Sequence, residues 1–267
     1  MAAGRSFAFV GAGQPDGART LPEEAAVALS YDGVTQAVMM ATPADLEDFA
    51  RGFTLTEGLA DPAAITGIEA VAVEEGIDLR LWLAPGAGAG LAARRRSMAG
   101  PVGCGLCGIE SLAAAAAVVP KVAAPLRLGA GEVRAAVAAL PAHQPVHDAT
   151  RAVHAAAFWL PGAGIVAARE DVGRHNALDK LAGALIAAGV APGQGAGVIT
   201  SRISVDMVQK AARLGLPVLV SPSAPTATAV RLAAAAGIAL CACARGGRFE
   251  IYGATARITG TGVSDAA

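Results

Sequence analysis

Apolar and polar positions change period several times along this chain, and the changes mark out its elements. Residues 25–31 and 34–41 alternate around Asp32-Gly33, a dipeptide that supplies the positive φ values of a two-residue hairpin turn, and so predict a two-stranded ribbon. Thr42-Pro43 then offers an N-cap followed by proline at the first helical position. Leu46, Phe49, Ala50 and Phe53 recur at helical spacing, predicting a helix that runs to Thr56 and ends at Gly58. Residues 68–73 and 77–83 form a second strand pair around Glu75-Gly76, with Leu79, Leu81 and Leu83 on one face and Asp78, Arg80 and Trp82 on the other.

An apolar run over 109–119 reads as a helix stopped by Pro120, and 120–125 reads as a linker. Beyond it the pattern becomes a regular alternation. Strands are expected over 158–160, 165–169, 197–200 and 217–221. Helices are expected to carry Leu178, Leu181 and Leu185, then Ile203, Met207, Val208 and Ala211, then 226–236, before a closing strand pair at 238–243 and 248–252. The expected fold class is therefore α/β, or α+β overall: a smaller N-terminal α+β domain over 23–125 and a larger layered domain with a mixed sheet over 126–267. Residues 1–22 carry Gly, Pro and Asp without periodicity and read as a mobile tail.

Composition narrows the function classes. A length of 267 residues suits two domains, and 54% hydrophobic against 16% charged residues leaves ample apolar surface for two cores, although alanine inflates the count. With 21 basic and 22 acidic residues the net charge is -1, so nothing draws the chain as a whole to nucleic acid or an anionic membrane. An anionic ligand must be held by local groups. Gly, Pro, Arg or Asp interrupts every apolar stretch before the roughly 18–20 residues a membrane span needs, and 7–10 is too short for a secretory segment. A cytoplasmic location is expected, and four cysteines in a chain this long make no disulfide framework.

The cysteines fall in two pairs. Cys104 and Cys107 stand three positions apart among Gly103, Gly105 and Gly108, whose backbones give open access to sulfur. If Ile109 begins a helix, its free N–H groups favour thiolate on the preceding cysteine, and Arg94, Arg95 and Arg96 add to that if the loop folds back. A thiolate attacks a donor persulfide, and a second thiol can protect or release the transferred sulfur by exchange. On spacing alone, metal ligation stands slightly ahead of dithiol redox or sulfur transfer, with no chemistry behind both. A closed zinc site needs further ligands, for which His143, His147, His154 and His175 are available. Cys241 and Cys243 lie two apart on an apolar strand pattern and read as buried structural cysteines.

Three successive strand ends of the larger domain carry polar groups just ahead of a helix. The first holds Arg174, His175 and Asn176, the second Thr200, Ser201, Arg202 and Ser204, the third Ser221, Ser223 and Thr226. Serine and threonine there also serve as plain helix caps, whereas Arg174 and Arg202 are not needed for capping. Because ligands of open α/β sheets bind beyond the carboxyl ends of strands, the repetition points to one shared anion pocket. Arg245-Gly-Gly-Arg248 adds two guanidinium groups around two glycines.

Together Cys104-Gly-Leu-Cys-Gly108, Glu170-Asp-Val-Gly-Arg-His-Asn-Ala-Leu-Asp-Lys180, Thr200-Ser-Arg-Ile-Ser204, Met207-Val-Gln-Lys-Ala-Ala212 and Ser223-Ala-Pro-Thr226 resemble the FdhD family, sulfur carriers required for formate dehydrogenase activity. Thr42-Pro43, Thr56-Glu57-Gly58 and the 245–248 turn add weaker matches. The resemblance implies a homodimeric carrier that takes sulfur from a cysteine desulfurase as a cysteine persulfide. It would pass this to molybdenum bis(molybdopterin guanine dinucleotide) before that cofactor enters formate dehydrogenase. It also implies that the larger domain is a cytidine-deaminase-like three-layer domain, that Cys104 carries the persulfide with Cys107 assisting, and that Cys243, Ala244, Arg245, Gly246, Gly247 and Arg248 form the cofactor-binding segment. Arg174, His175, Ser201, Arg202, Ser223 and Thr226 would meet the cofactor's phosphates. The chain departs from the family in its alanine richness and at Cys243, where a bulkier residue is expected. The deaminase zinc signature, H-x-E followed by P-C-x-x-C, is absent. Two other readings stay open: a chaperone that only shelters the molybdenum cofactor, and a zinc-dependent nucleoside hydrolase.

Overall fold

A computed structural model of the chain describes residues 5–9, 17–88, 91 and 119–260. Strands β1 (Arg5–Phe9) and β2 (Gly17–Leu21) pair antiparallel, with Arg5 opposite Leu21, inside the stretch expected to be a mobile tail. Five residues are too few to show a period, and it is the partner strand that makes each one a strand.

The next two strands lie where alternation put them, β3 at Ala25–Tyr31 and β4 at Val34–Ala41, joined through Asp32 and Gly33 at φ 49° and 79°. Helix α1 (Leu46–Thr56) starts later than expected: its N-cap is Asp45, not Thr42. Thr42 is occupied elsewhere, its hydroxyl accepting from the backbone N–H of Val172. Strands β5 (Ile65–Val73) and β6 (Gly76–Leu83) complete a sheet ordered β4-β3-β6-β5, in which β3 and β6 run parallel. The alternating Leu79, Leu81 and Leu83 turn inward with Val27, Leu29 and Tyr31, and α1 covers them with Phe49 and Phe53, whose rings meet edge to face at 5.9 Å. The Tyr31 hydroxyl is satisfied by that of Thr54 at 2.7 Å.

The chain enters the larger domain earlier than the expected boundary at 125. Pro120 and Pro125 keep 120–125 out of regular structure, yet Val119 and Val122 are already buried in that domain's core. The backbone N–H of Val122 donates to Ala236 O, and Arg257 donates to the carbonyls of Val122 and Leu126. The stretch is thus strapped to the larger domain.

There β7 (Leu128–Gly129) leads into α2 (Ala130–Ala139), α3 (Pro145–Thr150), β8 (His154–Leu160), β9 (Gly164–Asp171) and α4 (Arg174–Ala188). After these come β10 (Ala196–Ile199), α5 (Val205–Leu214), β11 (Val218–Val220), α6 (Ala227–Ala236), β12 (Ala239–Arg245), β13 (Arg248–Gly253) and β14 (Ile258–Thr259), the last paired parallel with β7. The six-stranded sheet is ordered β13-β12-β11-β10-β8-β9. Its strands contribute alternate residues to two cores: Phe158, Ile199 and Leu240 meet α4, α5 and α6 on one face. Ala155, Val198 and Cys241 meet Val133 and Ala136 of α2 on the other. The result is a mixed α+β fold with several sheets and six α-helices among the described residues, the larger domain having three layers.

Helices α1 and α4 weld the two domains. A Cβ added to Gly52 would lie 1.7 Å from Asp179 O, and one added to Gly183 would lie 1.9 Å from Asp48 O, so backbone packs on backbone. Around this crossing, charged groups are buried. Lys180 Nζ lies 2.6 Å from Asp171 Oδ2 and donates to Thr42 O at 2.8 Å. Lys210 Nζ reaches Asp179 at 2.8 Å and Glu57 at 2.6 Å. On the rim Arg169 clasps Asp48 with its Nε and Nη2.

Candidate anion-binding site

β10, β11 and β12 are mutually parallel, and β8 is antiparallel to both β9 and β10. β9, β10, β11 and β12 therefore all end at one edge of the sheet, as the strand-end pattern required. The loops there hold one another through backbone groups. The Ser221 hydroxyl donates to Ser201 O at 2.6 Å and accepts from the N–H of Ser223 at 3.0 Å, while Cys243 N donates to Ser223 O. Ser221 is wholly buried and ties two strand ends together. The sequence places it among the strand-end polar groups, and the structure gives it this tying role in place of a helix cap.

The polar side chains at this edge have several duties. Thr226 is a cap, accepting from Ala229 N at 3.2 Å. The buried Ser201 donates to Arg202 O, and Arg202 itself is exposed. Ser223 is half-buried beside Thr200 O. Arg174 and His175 occupy the first turn of α4. The His175 side chain is 16% exposed, and its Nε2 has no hydrogen-bond partner among the described residues, standing 4.0 Å from Asp206 Oδ2. Burial, with the charges of Lys210 and Arg174 nearby, pushes its pKa down to about 4 and leaves a neutral ring at pH 7. His154 is also lowered, by burial first and then by the charges of Arg174 and His147, and its Nδ1 meets the Thr200 hydroxyl at 3.2 Å.

The remaining predicted residues lie round the corner of this edge. Gly246 (φ 56°) and Gly247 (φ 77°) make the tight turn between β12 and β13. A cavity of about 280 Å³ opens between that hairpin and α2, lined by 244–249 together with Val133, Arg134, Val137 and Ala138. Arg174, His175, Ser201, Arg202, Ser223 and Thr226 do not line it; they lead into helices on the opposite face. Several hydrogen bonds join the two regions: Arg245 Nε donates to Pro222 O at 2.7 Å, Cys243 N to Ser223 O and Ala244 N to Ser221 O. The single shared pocket expected from sequence is thus divided into an open strand-end edge and a separate basic cavity. Sequence reading also missed α2 and with it Arg134, although Val133, Ala136, Val137 and Leu140 show helical spacing and Glu132 accepts from Gly129 N at the helix start.

Cys243 does not share the buried face of Cys241. A bulge between Ala242 and Arg245 breaks the alternation and places Cys243 at φ 51°, half-buried beside Glu250. Cys241 is fully buried, and desolvation pushes its thiol up to about 12. Cys104 and Cys107, and the helix expected over 109–119 apart from its last residue, lie outside the described residues. Among the described residues no group of three or more His, Cys, Asp or Glu side chains converges as a metal site. No described helix is long and apolar enough to cross a membrane. Much of the Glu170-to-Lys180 motif serves the fold: Glu170 accepts the backbone N–H groups of Val146 and His147 at the start of α3, and Asp171, Asp179 and Lys180 form the domain weld.

Comparison with known proteins gives one consistent answer. The chain is 52% identical over 244 residues to the sulfur carrier protein FdhD of Agrobacterium fabrum, covering 91% of this chain and 90% of that one. It is 50% identical over 248 residues to the sulfur carrier protein FdhD of Brucella abortus, covering 92% of both. Its fold matches the crystal structure of a protein described as a formate dehydrogenase accessory protein from Desulfotalea psychrophila, with a TM-score of 0.71 at 24% identity over 95% of this chain and 97% of the other. The model of the FdhD/NarQ family matches residues 22–259, and the chain belongs to that family.

Proposed function

We propose that this chain is a sulfur carrier for formate dehydrogenase, a sulfurtransferase that receives sulfur from a cysteine desulfurase on Cys104 and delivers it to molybdenum bis(molybdopterin guanine dinucleotide). The observation that carries the reading is the cavity against the 245–248 turn, which has Arg134, Arg245 and Arg248 among its lining residues and no Asp or Glu. The segment that family resemblance assigns to an anionic dinucleotide coincides with a cavity of a size to take one nucleotide portion of it. The reading brings with it a cytoplasmic homodimer and kinship of the three-layer domain with cytidine deaminases, used here for binding and not for deamination.

In the loading step the Cys104 thiolate attacks the terminal sulfur of the desulfurase persulfide, forming Cys104–S–SH and releasing the desulfurase cysteine as a thiol. Release as sulfide needs two electrons. Cys107 supplies them by attacking the inner sulfur, which expels hydrosulfide and leaves a disulfide between Cys104 and Cys107 for a cellular thiol to reduce. The bound acceptor is cargo. The hairpin and α2 hold it, and the strand-end groups Arg174, His175 and Arg202 lie along the same sheet edge to receive its phosphates. The loop 104–107 is joined to the larger domain through Val119, whose side chain is already in that domain's core.

Intact-protein mass measurement after incubation with a cysteine desulfurase and cysteine tests the carrier role. An added mass of about 32 Da per transferred sulfur is expected on the wild type and not on Cys104→Ala. No added sulfur on the wild type overturns the reading. Full activation of formate dehydrogenase by Cys104→Ala would point instead to a chaperone that only shelters the cofactor. Stoichiometric zinc held by Cys104 and Cys107 would point to a hydrolase.

A further inference from the structure

Arg134 sits on α2, a helix outside every motif that carries the family resemblance. Val133 and Ala136 are buried against the sheet and fix the inner face of that helix. Arg134, Val137 and Ala138 are left at the margin, where they form one wall of the cavity whose other wall is the β12–β13 hairpin with Arg245, Arg248 and Phe249.

Two properties of this cavity define what it takes. Its charge is unbalanced: Arg134, Arg245 and Arg248 stand around an almost wholly apolar hollow with no Asp or Glu among the lining residues, and among the described residues neither Arg134 nor Arg248 enters an ion pair. Arg245 is already oriented, its Nε spent on Pro222 O at 2.7 Å. Like charges gathered at one opening repel unless an anion lies between them, and the planar guanidinium fork matches phosphate oxygens in pairs. The second property is an apolar lining, made by Val137, Ala138 and the half-buried Phe249. A cavity of about 280 Å³ is at the lower end of small-ligand pockets, enough for one nucleotide and not for a whole bis-dinucleotide cofactor.

We infer that Arg134 is a third phosphate-binding residue of a nucleoside diphosphate site, acting with Arg245 and Arg248 while Val137, Ala138 and Phe249 receive the base. This rests on the reading that the 243–248 segment holds the guanine dinucleotide portion of the acceptor, and it gives Arg134, a residue outside the sequence motifs, a definite role there. A phosphate clamp built from two elements also explains why α2 must be anchored to the sheet.

Calorimetric titration of the full-length protein with GDP and, separately, with guanosine tests it. Arg134→Gln alters an exposed side chain and should fold as the wild type does. It is expected to weaken GDP binding by about tenfold or more, the size of a lost charge-assisted hydrogen bond, and to leave guanosine binding unchanged. Arg134→Lys should recover part of the loss. Arg231→Gln, an exposed arginine on α6 outside the cavity, should change neither ligand. Wild-type binding of GDP with an unchanged Kd in Arg134→Gln overturns the role of Arg134 and leaves the wider reading standing. Equal losses for GDP and guanosine overturn the phosphate assignment. If the wild type fails to bind GDP at all, the assignment of the 243–248 segment fails and Arg134 with it.

Discussion

Lys180 Nζ and Asp171 Oδ2 lie 2.6 Å apart with both side chains fully buried, and the contact belongs to the seam between the domains. Asp171 also accepts from Thr42 N and Gly173 N, so three stretches of chain converge on one carboxylate. Removing the cation alone strands that carboxylate in a dry site, and Lys180→Met is expected to cost about 3–5 kcal/mol. Removing both charges in Lys180→Met with Asp171→Asn should recover part of this. Urea unfolding followed by circular dichroism measures both variants, and a single variant within about 0.5 kcal/mol of wild type would show that the pair is not what joins the domains.

The crossing of α1 and α4 depends on the absence of side chains at Gly52 and Gly183. In Gly52→Ala the new methyl would lie 1.7 Å from a backbone carbonyl oxygen, which no rotamer change relieves. The helices must move apart, drawing with them the Thr56–Asp179–Lys210 cluster. A loss of about 3 kcal/mol or more is expected, at or beyond the upper end of ordinary overpacking. Thermal melting reads it as a lower Tm, and a variant that melts with the wild type would mean the helices have room to spare.

Stability should fall as the solution is acidified from pH 6.5 towards 5, and His175 should account for much of the fall. Its pKa is about 4 when folded against 6.5 when free, so in that interval the unfolded chain binds a proton that the folded chain refuses. The group is mostly buried, and the full shift corresponds to roughly 3 kcal/mol. His154 is lowered as well and adds to the slope. Asp206 and Glu170 have carboxyls raised by burial; they take up protons first in the folded state and oppose the trend at the acid end. His175→Gln should flatten the plot of unfolding free energy against pH between 5 and 6.5. An unchanged slope would place the titration elsewhere.

The sequence made the ribbon at Asp32-Gly33, the alternating leucines of β6 and the strand-to-helix order of the larger domain legible, because each depends on local periodicity. It hid what depends on distant partners. Thr42 looked like a helix cap and is held instead by Asp171 and Lys180, more than a hundred residues away. The strand end with Arg174, His175 and Asn176 reads as an anion seat, yet Asn176 is bonded to Asp171 and Met40 O in the seam, leaving Arg174 and His175 at the edge. Cys243 seemed to continue the buried alternation of Cys241, and a bulge of one residue turned it aside. Arg134 carried no motif and became visible only when α2 was seen against the hairpin.

The four cysteines should react in a fixed order. At about pH 8, a thiol whose pKa is near 12 is thiolate in roughly one molecule in ten thousand, and Cys241 has no solvent contact either. Cys243 is partly open, but partial desolvation and the Glu250 carboxylate beside it hold its thiol above the usual range and slow its attack. If the proposed chemistry resides in the 104–107 loop, brief alkylation with iodoacetamide followed by peptide mapping should modify Cys104 and Cys107 first, Cys243 slowly, and Cys241 only after unfolding. Persulfide loading by a desulfurase should follow the same order, and Cys241→Ala should load as the wild type does. Rapid labelling of Cys241 in the native protein would contradict its burial, while sulfur recovered on Cys243 in preference to Cys104 would move the carrier site to the β12 bulge.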